Sequence, residues 1–216
     1  MSTNSIGELW DHRFASVRQN FLYGTTPNVW IASRLPVLDV HAKVLALADG
    51  EGRNTVWLAH QGYNASNWDY SLVGLNKTKQ LATDHGLSVH TRHIDLTSSH
   101  FKPNQFDAIV SSFFHVSKEH QLNVWHDISQ MLKPNGHLIV QVFAESQLGR
   151  DSGGPKDIDL LYQKELFLQA LTPNFKILEL TETETLLDEG SLHQGLAKVI
   201  NLHAVKNFIV SELSVS

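Results

Sequence analysis

Residues 44–63 read VLALADGEGRNTVWLAHQGY, and this stretch decides the fold class. The apolar run from Lys43 to Ala48 predicts a strand that is buried on both faces. Residues 53–61 predict a helix that ends at Gly62. Between them lies a turn with two glycines, which allow the backbone to approach a ligand closely. A strand, a glycine turn and a helix in this order are typical of the first unit of a doubly wound sheet.

The chain after this stretch keeps alternating between strand and helix patterns. Strands are predicted over 63–68, 88–94, 106–112 and 138–143, and helices over 71–84 and 118–132. Residues 133–136, KPNG, predict a turn between the last helix and the last strand of this series. Alternation of this kind favours a parallel sheet with helices on both faces.

Both ends of the chain depart from the alternation. A helix is predicted over 157–170, and the strand-like runs 175–187 and 195–205 predict an antiparallel hairpin at the sheet edge, with its turn at 188–191. Residues 1–40 contain several aromatic side chains and are expected to form a helical arm that covers the cofactor site. The loop 144–156 contains three glycines, and it is either a mobile lid or an ordinary surface loop.

We therefore expect a single α/β domain over residues 1–216. Its fold class is Rossmann-like and doubly wound, with a seven-stranded, mostly parallel sheet and a C-terminal antiparallel hairpin. Apolar residues make up 42% of the chain and charged residues 18%, which is a globular composition. The polar first residues lack the apolar centre of a signal peptide, and no apolar run is long enough for a transmembrane helix, so a cytoplasmic location is expected.

Composition also narrows the chemistry. The absence of cysteine excludes disulfides, thiolate metal sites and cysteine nucleophiles. The net charge of −5 argues against nucleic-acid partners and anionic membrane surfaces, which bind positive fields. The chain has 13 histidines, but their spacing matches no metal-binding motif, so no metal site is expected. A monomer or a homodimer is expected.

Three aspartates are predicted to lie at one edge of the sheet. Asp49, Asp69 and Asp95 each follow one of the first three strands, and the carboxyl ends of parallel strands form the crevice where ligands bind. Asp69 comes 19 residues after Gly50, where an acid can accept hydrogen bonds from the two hydroxyls of a ribose. Helix capping and turn formation are the alternative roles for each aspartate.

The turn favours one nucleoside cofactor over another. A dinucleotide-binding turn has a third glycine where this chain has Thr55, and the acids Asp49 and Glu51 would repel a pyrophosphate. The same acids suit a ligand with cationic groups, such as the sulfonium and the amino group of S-adenosylmethionine. The electrostatics therefore favour S-adenosylmethionine over NAD.

The turn and several later runs resemble the class I S-adenosylmethionine-dependent methyltransferases, and more narrowly their tellurite-resistance-type branch. The resemblance rests on DGEGRN at 49–54, WDYS at 68–71, IDL at 94–96, FDAIVSSFFHV at 106–116, LKPNGHLIVQVF at 132–143, GGPKDIDLLY at 153–162, DEGSLHQGLAKVI at 188–200 and WDHRFASVRQNFLYGTTPN at 10–28. It covers nearly the whole chain. Three positions depart from the usual motif, which has an acid at Ala46, a glycine at Ala48 and a cysteine at Asp49.

The resemblance implies a set of cofactor-binding residues. These are Tyr23, Gly24, Ala48, Asp49, Gly50, Glu51, Gly52, Arg53, Asp69, Tyr70, Asp95, Leu96 and Ser111. The backbone of 48–52 would hold the methionine part, Asp69 the ribose, and Tyr70 with Asp95 and Leu96 the adenine. Asp49 or Glu51 would attract the ammonium group in place of the missing acid at position 46. Packing of the arm is an alternative role for Tyr23, and an ion pair that stabilises the turn is one for Arg53.

The reaction that the resemblance implies is methyl transfer to a small-molecule acceptor, with S-adenosylhomocysteine as the product. Positioning can supply much of the acceleration, and a base is needed only where the acceptor must lose a proton. His115 and His193 are the candidate bases, and a structural role is the alternative for each. Two other functions stay open: a non-catalytic S-adenosylmethionine-binding or regulatory protein, and an NAD-dependent oxidoreductase. The branch name is not evidence of tellurite chemistry, because function depends on the site rather than on the fold.

Overall fold

The computed structural model describes residues 3–98 and 100–208. Its helices are α1 (Thr3–Ser16), α2 (Val29–Arg34), α3 (Arg53–His60), α4 (Leu72–Asp84), α5 (Lys118–Gln130) and α6 (Lys164–Leu171). Its strands are β1 (Lys43–Leu47), β2 (Asn64–Asp69), β3 (His90–His93), β4 (Phe106–Ser112), β5 (Leu132–Phe143), β6 (Phe175–Glu189) and β7 (His193–Lys206). These elements confirm the predicted alternation of strands and helices from residue 43 onwards.

The strands form one seven-stranded sheet in the order β3-β2-β1-β4-β5-β7-β6. The five strands from β3 to β5 pair in parallel, and β7 pairs antiparallel with both β5 and β6. The predicted fold class, with its C-terminal antiparallel hairpin, is therefore confirmed. Because Val199 is opposite Phe143, the last residue of β5, the tip of the hairpin extends beyond the carboxyl edge of the parallel strands.

The first strand is buried on both faces, as its composition predicted. Val44 and Ala46 pack on one side of the sheet with Ile31 of α2. Leu45 and Leu47 pack on the other side in a larger core that includes residues of α5, β5 and α6. These four residues are at most 1% exposed. Burial of the strand therefore fixes the position of its last residue at the carboxyl edge of the sheet, where the glycine turn begins.

Two predicted elements differ in the structure. The helix predicted over 157–170 is wrong in its first half, where a single 3-10 turn over Ile158–Leu160 precedes α6. Leu161 and Tyr162 are fully buried there, and Tyr162 forms a parallel bridge with Ala144, so tertiary packing overrides the local helix preference. The KPNG segment lies inside β5, where Asn135 has a φ of 63° and the pairing with β4 shifts register.

The N-terminal arm packs over the carboxyl edge through close backbone contacts. A Cβ atom on Gly7 of α1 would lie 2.3 Å from the ring of Tyr70, and one on Gly50 would lie 2.7 Å from the ring of Phe14. The hairpin tip closes on the same arm, since a Cβ on Gly190 would lie 2.1 Å from the carbonyl oxygen of Leu22. The segment before β1 contains the helices α1 and α2, and residues 22–24 lie between the glycine turn and the hairpin. That this segment covers a cofactor stays a prediction.

Candidate cofactor and acceptor site

The turn after β1 has a backbone that turns left-handed at alternate residues. Ala48, Gly50 and Gly52 have φ angles of 51°, 53° and 91°. At Gly52 a Cβ would lie 2.5 Å from Thr78, so this glycine lets α3 and α4 approach closely. Gly50 is equally restricted by Phe14. The glycines that the sequence singled out therefore serve helix and arm packing as well as any ligand.

Asp49 caps the helix that follows the turn. Its Oδ2 accepts hydrogen bonds from Thr55 N at 2.8 Å and Thr55 Oγ1 at 2.7 Å, and its Oδ1 accepts one from Asn54 Nδ2 at 2.7 Å. Burial raises the pKa of the carboxyl group, against these hydrogen bonds. The carboxylate thus occupies the N-terminal N–H groups of α3, which a bound phosphate would otherwise need.

Glu51 ties the arm to α4. Its Oε1 pairs with Lys77 Nζ at 2.8 Å, its Oε2 accepts a hydrogen bond from Leu22 N at 2.8 Å, and the residue is only 4% exposed. Lys77 also donates to the carbonyl of Asn20 at 2.8 Å. Both predicted acids of the turn therefore have protein partners, which leaves the backbone of 48–52 as the part of the turn available to a cofactor.

Asp69 lies at the end of β2, on the rim where the sequence predicted it. Its Oδ2 accepts a hydrogen bond from Gly50 N at 2.9 Å and its Oδ1 accepts one from Ser71 N at 2.7 Å. The residue is 7% exposed, and burial raises the pKa of its carboxyl group to about 6 despite these bonds. The backbone N–H of Tyr70 also stabilises the charged carboxylate, and a carboxylate can accept about four hydrogen bonds, so some acceptor capacity remains for a ligand.

The predicted adenine contacts lie beside Asp69. The ring of Tyr70 packs under Gly7 of the arm. Asp95 follows β3 and accepts hydrogen bonds from the backbone N and the Oγ1 of Thr97 at 2.8 and 2.7 Å. Leu96 is 5% exposed and belongs to the large core. The three aspartates do follow neighbouring strands along one edge, as predicted.

The two serines at the end of β4 have different surroundings. Ser111 is 1% exposed and its Oγ donates to the carbonyl of Leu47 at 3.1 Å, so it joins β4 to β1. Ser112 instead faces the turn, where its Oγ accepts hydrogen bonds from Asn54 Nδ2 at 3.1 Å and Arg53 Nη2 at 3.4 Å. The side chain that meets the turn is therefore that of Ser112, one residue beyond the predicted one.

A buried polar network connects the turn, the arm and the hairpin. Arg53 Nη2 pairs with Glu189 Oε2 at 2.9 Å, with side chains 7% and 10% exposed. Asn28 Nδ2 donates to Glu189 Oε1 at 2.8 Å and to Gln141 Oε1 at 2.7 Å. Arg53 thus forms the stabilising ion pair expected as its alternative role, and its partner comes from the hairpin.

His193 lies where this network meets a group of aromatic rings. Its Nδ1 is 3.3 Å from Glu189 Oε2. Its ring centroid is 4.6, 4.4 and 5.2 Å from those of Tyr23, Phe113 and Phe143. Phe113 has a φ of 58°, an uncommon value for a bulky residue, directly after β4. We call Tyr23, Phe113, Phe143 and His193 the aromatic cage.

His115 lies on the far side of Phe143 from the polar network. Its ring stacks on Phe143 with centroids 5.6 Å apart, and its Nδ1 donates to the carbonyl of Leu160 at 2.8 Å. Nε2 is buried and has no hydrogen-bond partner among the described residues. Burial lowers the pKa of this imidazole to about 4, although the Leu160 bond opposes the shift. His115 therefore orders the loop before α6 as a neutral side chain.

Several residues of the site escaped the sequence argument. Glu189, Asn28, Gln141 and Phe14 all contact the turn or its network. Glu189 and Asn28 occur in runs that carried the resemblance, and an acid four residues before a histidine was a usable signal for Glu189. Gln141 also occurs in such a run, and a lone polar residue within the apolar strand LIVQVF was a usable signal for it.

The described residues show neither a metal-binding group nor a membrane-spanning helix. In the parts of the chain that the structure describes, no group of three or more His, Asp or Glu side chains could hold a metal ion. No helix within residues 3–98 or 100–208 is long and apolar enough to cross a membrane.

Comparison with known proteins connects this geometry to a family. Residues 44–136 match the methyltransferase domain family. The uncharacterized methyltransferase YbaJ of Bacillus subtilis is 37% identical over 98 residues, and the probable S-adenosyl-L-methionine-dependent methyltransferase TehB of Haemophilus influenzae is 28% identical over 103 residues. Over less than half of its length, the chain is therefore similar to TehB-like class I methyltransferases. These matches cover 45% of this chain but only 38% and 35% of the relatives, so the chain aligns with little more than a third of each.

Solved structures share the fold of this methyltransferase domain. The crystal structure of TehB from H. influenzae superposes with a TM-score of 0.63 at 20% identity, over 77% of this chain and 58% of that chain. A TehB-like S-adenosylmethionine-dependent methyltransferase from Corynebacterium glutamicum gives a TM-score of 0.59 at 18% identity, over 95% of this chain and 98% of that chain. The predicted family resemblance is therefore confirmed.

Proposed function

We propose that this protein transfers a methyl group from S-adenosylmethionine to a small-molecule acceptor at the carboxyl edge of its sheet. The cofactor supplies a methyl group on a sulfonium sulfur, and a nucleophile attacks the methyl carbon in line with the methyl–sulfur bond. The observation that supports this best is the clustering of the turn 48–52, Asp69 and Asp95 along the edge of a sheet with the order β3-β2-β1-β4-β5-β7-β6.

The residues at this edge suit the cofactor. Asp69 presents a carboxylate to the ribose hydroxyls, next to the backbone N–H of Gly50. Tyr70 offers an aromatic surface for an adenine, and we propose that Asp95 accepts from the adenine amino group beside the backbone N–H of Leu96. The carboxylates of Asp49 and Glu51 have partners of their own, so we propose that the methionine part depends on the backbone of the turn.

The arm takes part by closing over the edge. Gly7 covers Tyr70 and Phe14 covers Gly50, so the arm must move for a cofactor to reach these residues. Asp11 accepts hydrogen bonds from Ser71 Oγ and, at 3.1 Å, from Val73 N, which fastens α1 to the start of α4. Closure of such a segment excludes water from the reaction. We propose that Tyr23 and Gly24 belong to this closing segment.

The acceptor space is proposed to lie at the aromatic cage. The cage is next to the turn, because Arg53 contacts both the carbonyl of Tyr23 and Glu189 beside His193. Its walls are apolar and aromatic, which suits a small acceptor with an apolar frame. We propose that the loop 144–156 is a lid over the aromatic cage. Residues 153–154 of this loop lie directly on the cage, since a Cβ on Gly154 would be 2.8 Å from the ring of Phe143.

An oxidoreductase that uses NAD is disfavoured by the same geometry. A pyrophosphate binds the free N–H groups at the start of the helix after β1. Here the carboxylate of Asp49 already accepts from Thr55 N, and its charge would repel the phosphates.

A non-catalytic S-adenosylmethionine-binding protein is the second candidate. It is favoured by the way the arm covers the turn and by the engagement of both Asp69 oxygens with backbone N–H groups. A sensor of this kind would bind the cofactor, move its arm and transfer no methyl group.

Calorimetry and a methyl-transfer screen together test these functions. Titration with S-adenosylmethionine, S-adenosylhomocysteine and NAD is expected to show binding of the first two only. Incubation with methyl-labelled cofactor and a panel of thiols, phenols, carboxylates and oxyanions is expected to give a labelled product. Binding of NAD alone would overturn the proposal, and tight cofactor binding without any labelled product would favour the sensor.

A further inference from the structure

Glu189 is a buried carboxylate that bridges two functional parts of the molecule. Its Oε2 lies 2.9 Å from Arg53 Nη2 and 3.3 Å from His193 Nδ1, and its Oε1 accepts from Asn28 Nδ2 at 2.8 Å. Burial alone would raise its pKa, but His193 and Arg53 outweigh burial and lower the pKa to about 2. Glu189 is therefore an anion at neutral pH, and its partners are Arg53, His193 and Asn28.

The position of Glu189 determines which nitrogen of His193 is free. Because the carboxylate can only accept, Nδ1 must carry the proton that it donates to Glu189. Nε2 is then the basic nitrogen, and no described residue forms a hydrogen bond with it. Burial lowers the pKa of His193 while Glu189 opposes that shift, so the imidazole is neutral at pH 7. Nε2 can thus accept a proton.

The surroundings of Nε2 connect it to the acceptor space. A Cβ on Gly153 would lie 2.7 Å from Cδ2, the ring carbon bonded to Nε2, so the proposed lid covers this edge of the ring. The rings of Tyr23 and Phe113 pack against the ring of His193. An acceptor that enters under the lid would therefore meet Nε2 within apolar walls. The positive charge of Arg53 is already neutralised by the carboxylate of Glu189.

We propose that Glu189 is a positioning residue that holds His193 as the base for acceptors whose nucleophilic atom carries a proton. This inference rests on the proposed methyl transfer and specifies its substrate class: neutral thiols, phenols or alcohols with an apolar frame, rather than oxyanions. His193 Nε2 takes the proton as the acceptor atom bonds to the methyl carbon. The methyl–sulfur bond breaks, its electron pair stays on the sulfur of S-adenosylhomocysteine, and the imidazolium later releases the proton to water.

A nuclear magnetic resonance titration tests the pairing without any substrate. In protein labelled with ¹⁵N-histidine, His193 is expected to show a protonated Nδ1 and an unprotonated Nε2 at pH 7. Glu189→Gln removes the charge that supports His193, so the pKa of His193 should fall by about one unit or more. Glu184→Gln is the matched control, because Glu184 lies on the same strand but pairs with Arg150 on the surface. An unchanged His193 pKa in Glu189→Gln, or a proton on Nε2, would overturn the proposal whether or not methyl transfer is found.

Rates with two kinds of acceptor test the base. Thiophenol ionises near neutral pH, whereas phenol stays protonated to about pH 10. His193→Asn is expected to slow transfer to phenol by on the order of 10²-fold or more and transfer to thiophenolate by much less. The acid limb of the phenol pH profile should move to lower pH in Glu189→Gln and stay in place in Glu184→Gln. Equal losses with both acceptors, or an acid limb that does not move, would contradict the proposal.

Glu189→Asp provides a second variant if Glu189→Gln does not fold. It keeps the charge beside Arg53 and shortens the side chain by one methylene group. The pKa of His193 should then stay close to that of the unchanged protein. If the pKa of His193 falls by about one unit or more in the aspartate variant, charge is not what holds His193, and the proposal fails.

Discussion

Replacing Asp69 with alanine should weaken cofactor binding much more than it weakens the fold. Two charge-assisted hydrogen bonds to ribose hydroxyls are worth roughly 1.5–3 kcal/mol each. At about 1.4 kcal/mol per decade, their loss raises the dissociation constant of S-adenosylmethionine by on the order of 10²-fold or more. The assay is calorimetric titration of the variant with S-adenosylmethionine and S-adenosylhomocysteine.

The structure also sets the expected effect of this substitution on stability. Alanine leaves the N–H groups of Gly50 and Ser71 without an acceptor, at a cost of about 1–3 kcal/mol each. It also removes a charge that burial disfavours, as the pKa of Asp69 shows by its rise from 3.8 to about 6 despite these hydrogen bonds. The two effects oppose each other, so the net loss in the free energy of unfolding should be smaller than the loss of the two acceptors alone would cause.

Asp107→Ala is the matched control for Asp69→Ala. Asp107 also lies in a strand and also accepts a backbone hydrogen bond, from Lys43 N at 2.8 Å, but at the opposite edge of the sheet. It pairs there with Lys133 at 2.8 Å. Its loss should leave cofactor affinity unchanged. If Asp69→Ala lowers the melting temperature and keeps the affinity for S-adenosylmethionine, Asp69 is a structural residue and the ribose assignment is refuted.

Two further substitutions test the arm and the buried histidine. Gly190→Ala places a Cβ 2.1 Å from the Leu22 carbonyl oxygen, so the amide hydrogens of residues 22–24 should exchange faster. Gly86→Ala is the control, because Gly86 has a similar φ and no atom within 4 Å of its Cβ position, so it should strain the backbone without freeing the arm. Equal exchange in both variants would show that the hairpin does not hold the arm. His115 has a folded pKa of about 4, below its ordinary 6.5, so it adds stability that is present above pH 6.5 and lost as pH falls towards 4. The stability difference between the unchanged protein and His115→Asn, measured by urea unfolding, should therefore grow by about 3 kcal/mol from pH 4 to 7, and a constant difference would contradict the burial of a neutral His115.

The fold was largely predictable because its strands are apolar and their ends are marked by polar residues. Burial of β1 on both faces followed from its uninterrupted apolar run, and the rim of aspartates followed from where the strands end. Tyr162 shows the limit of this reasoning. Its segment favours a helix locally, but pairing with Ala144 and full burial determine its extended conformation.

The side-chain partners of the site were less predictable, because they are distant in sequence. The sequence predicts that Glu51 attracts the cofactor, yet Glu51 pairs with Lys77 of α4 and with the arm. Arg53 was expected to form an ion pair, but only the folded hairpin shows that Glu189, 136 residues later, is its partner. A pattern can place a charged residue at a turn, whereas the choice between a ligand and a protein partner depends on tertiary contacts.

A crystal structure of the protein with S-adenosylhomocysteine tests the central claim most directly. The account predicts that the ligand lies along the carboxyl edge, with its ribose hydroxyls within about 3 Å of the Asp69 carboxylate and its homocysteine part against the backbone of 48–52. The arm should be displaced from Tyr70 and Gly50 and should close over the ligand. Ligand density at any other edge of the sheet, or at this edge without contact to Asp69, would contradict the account.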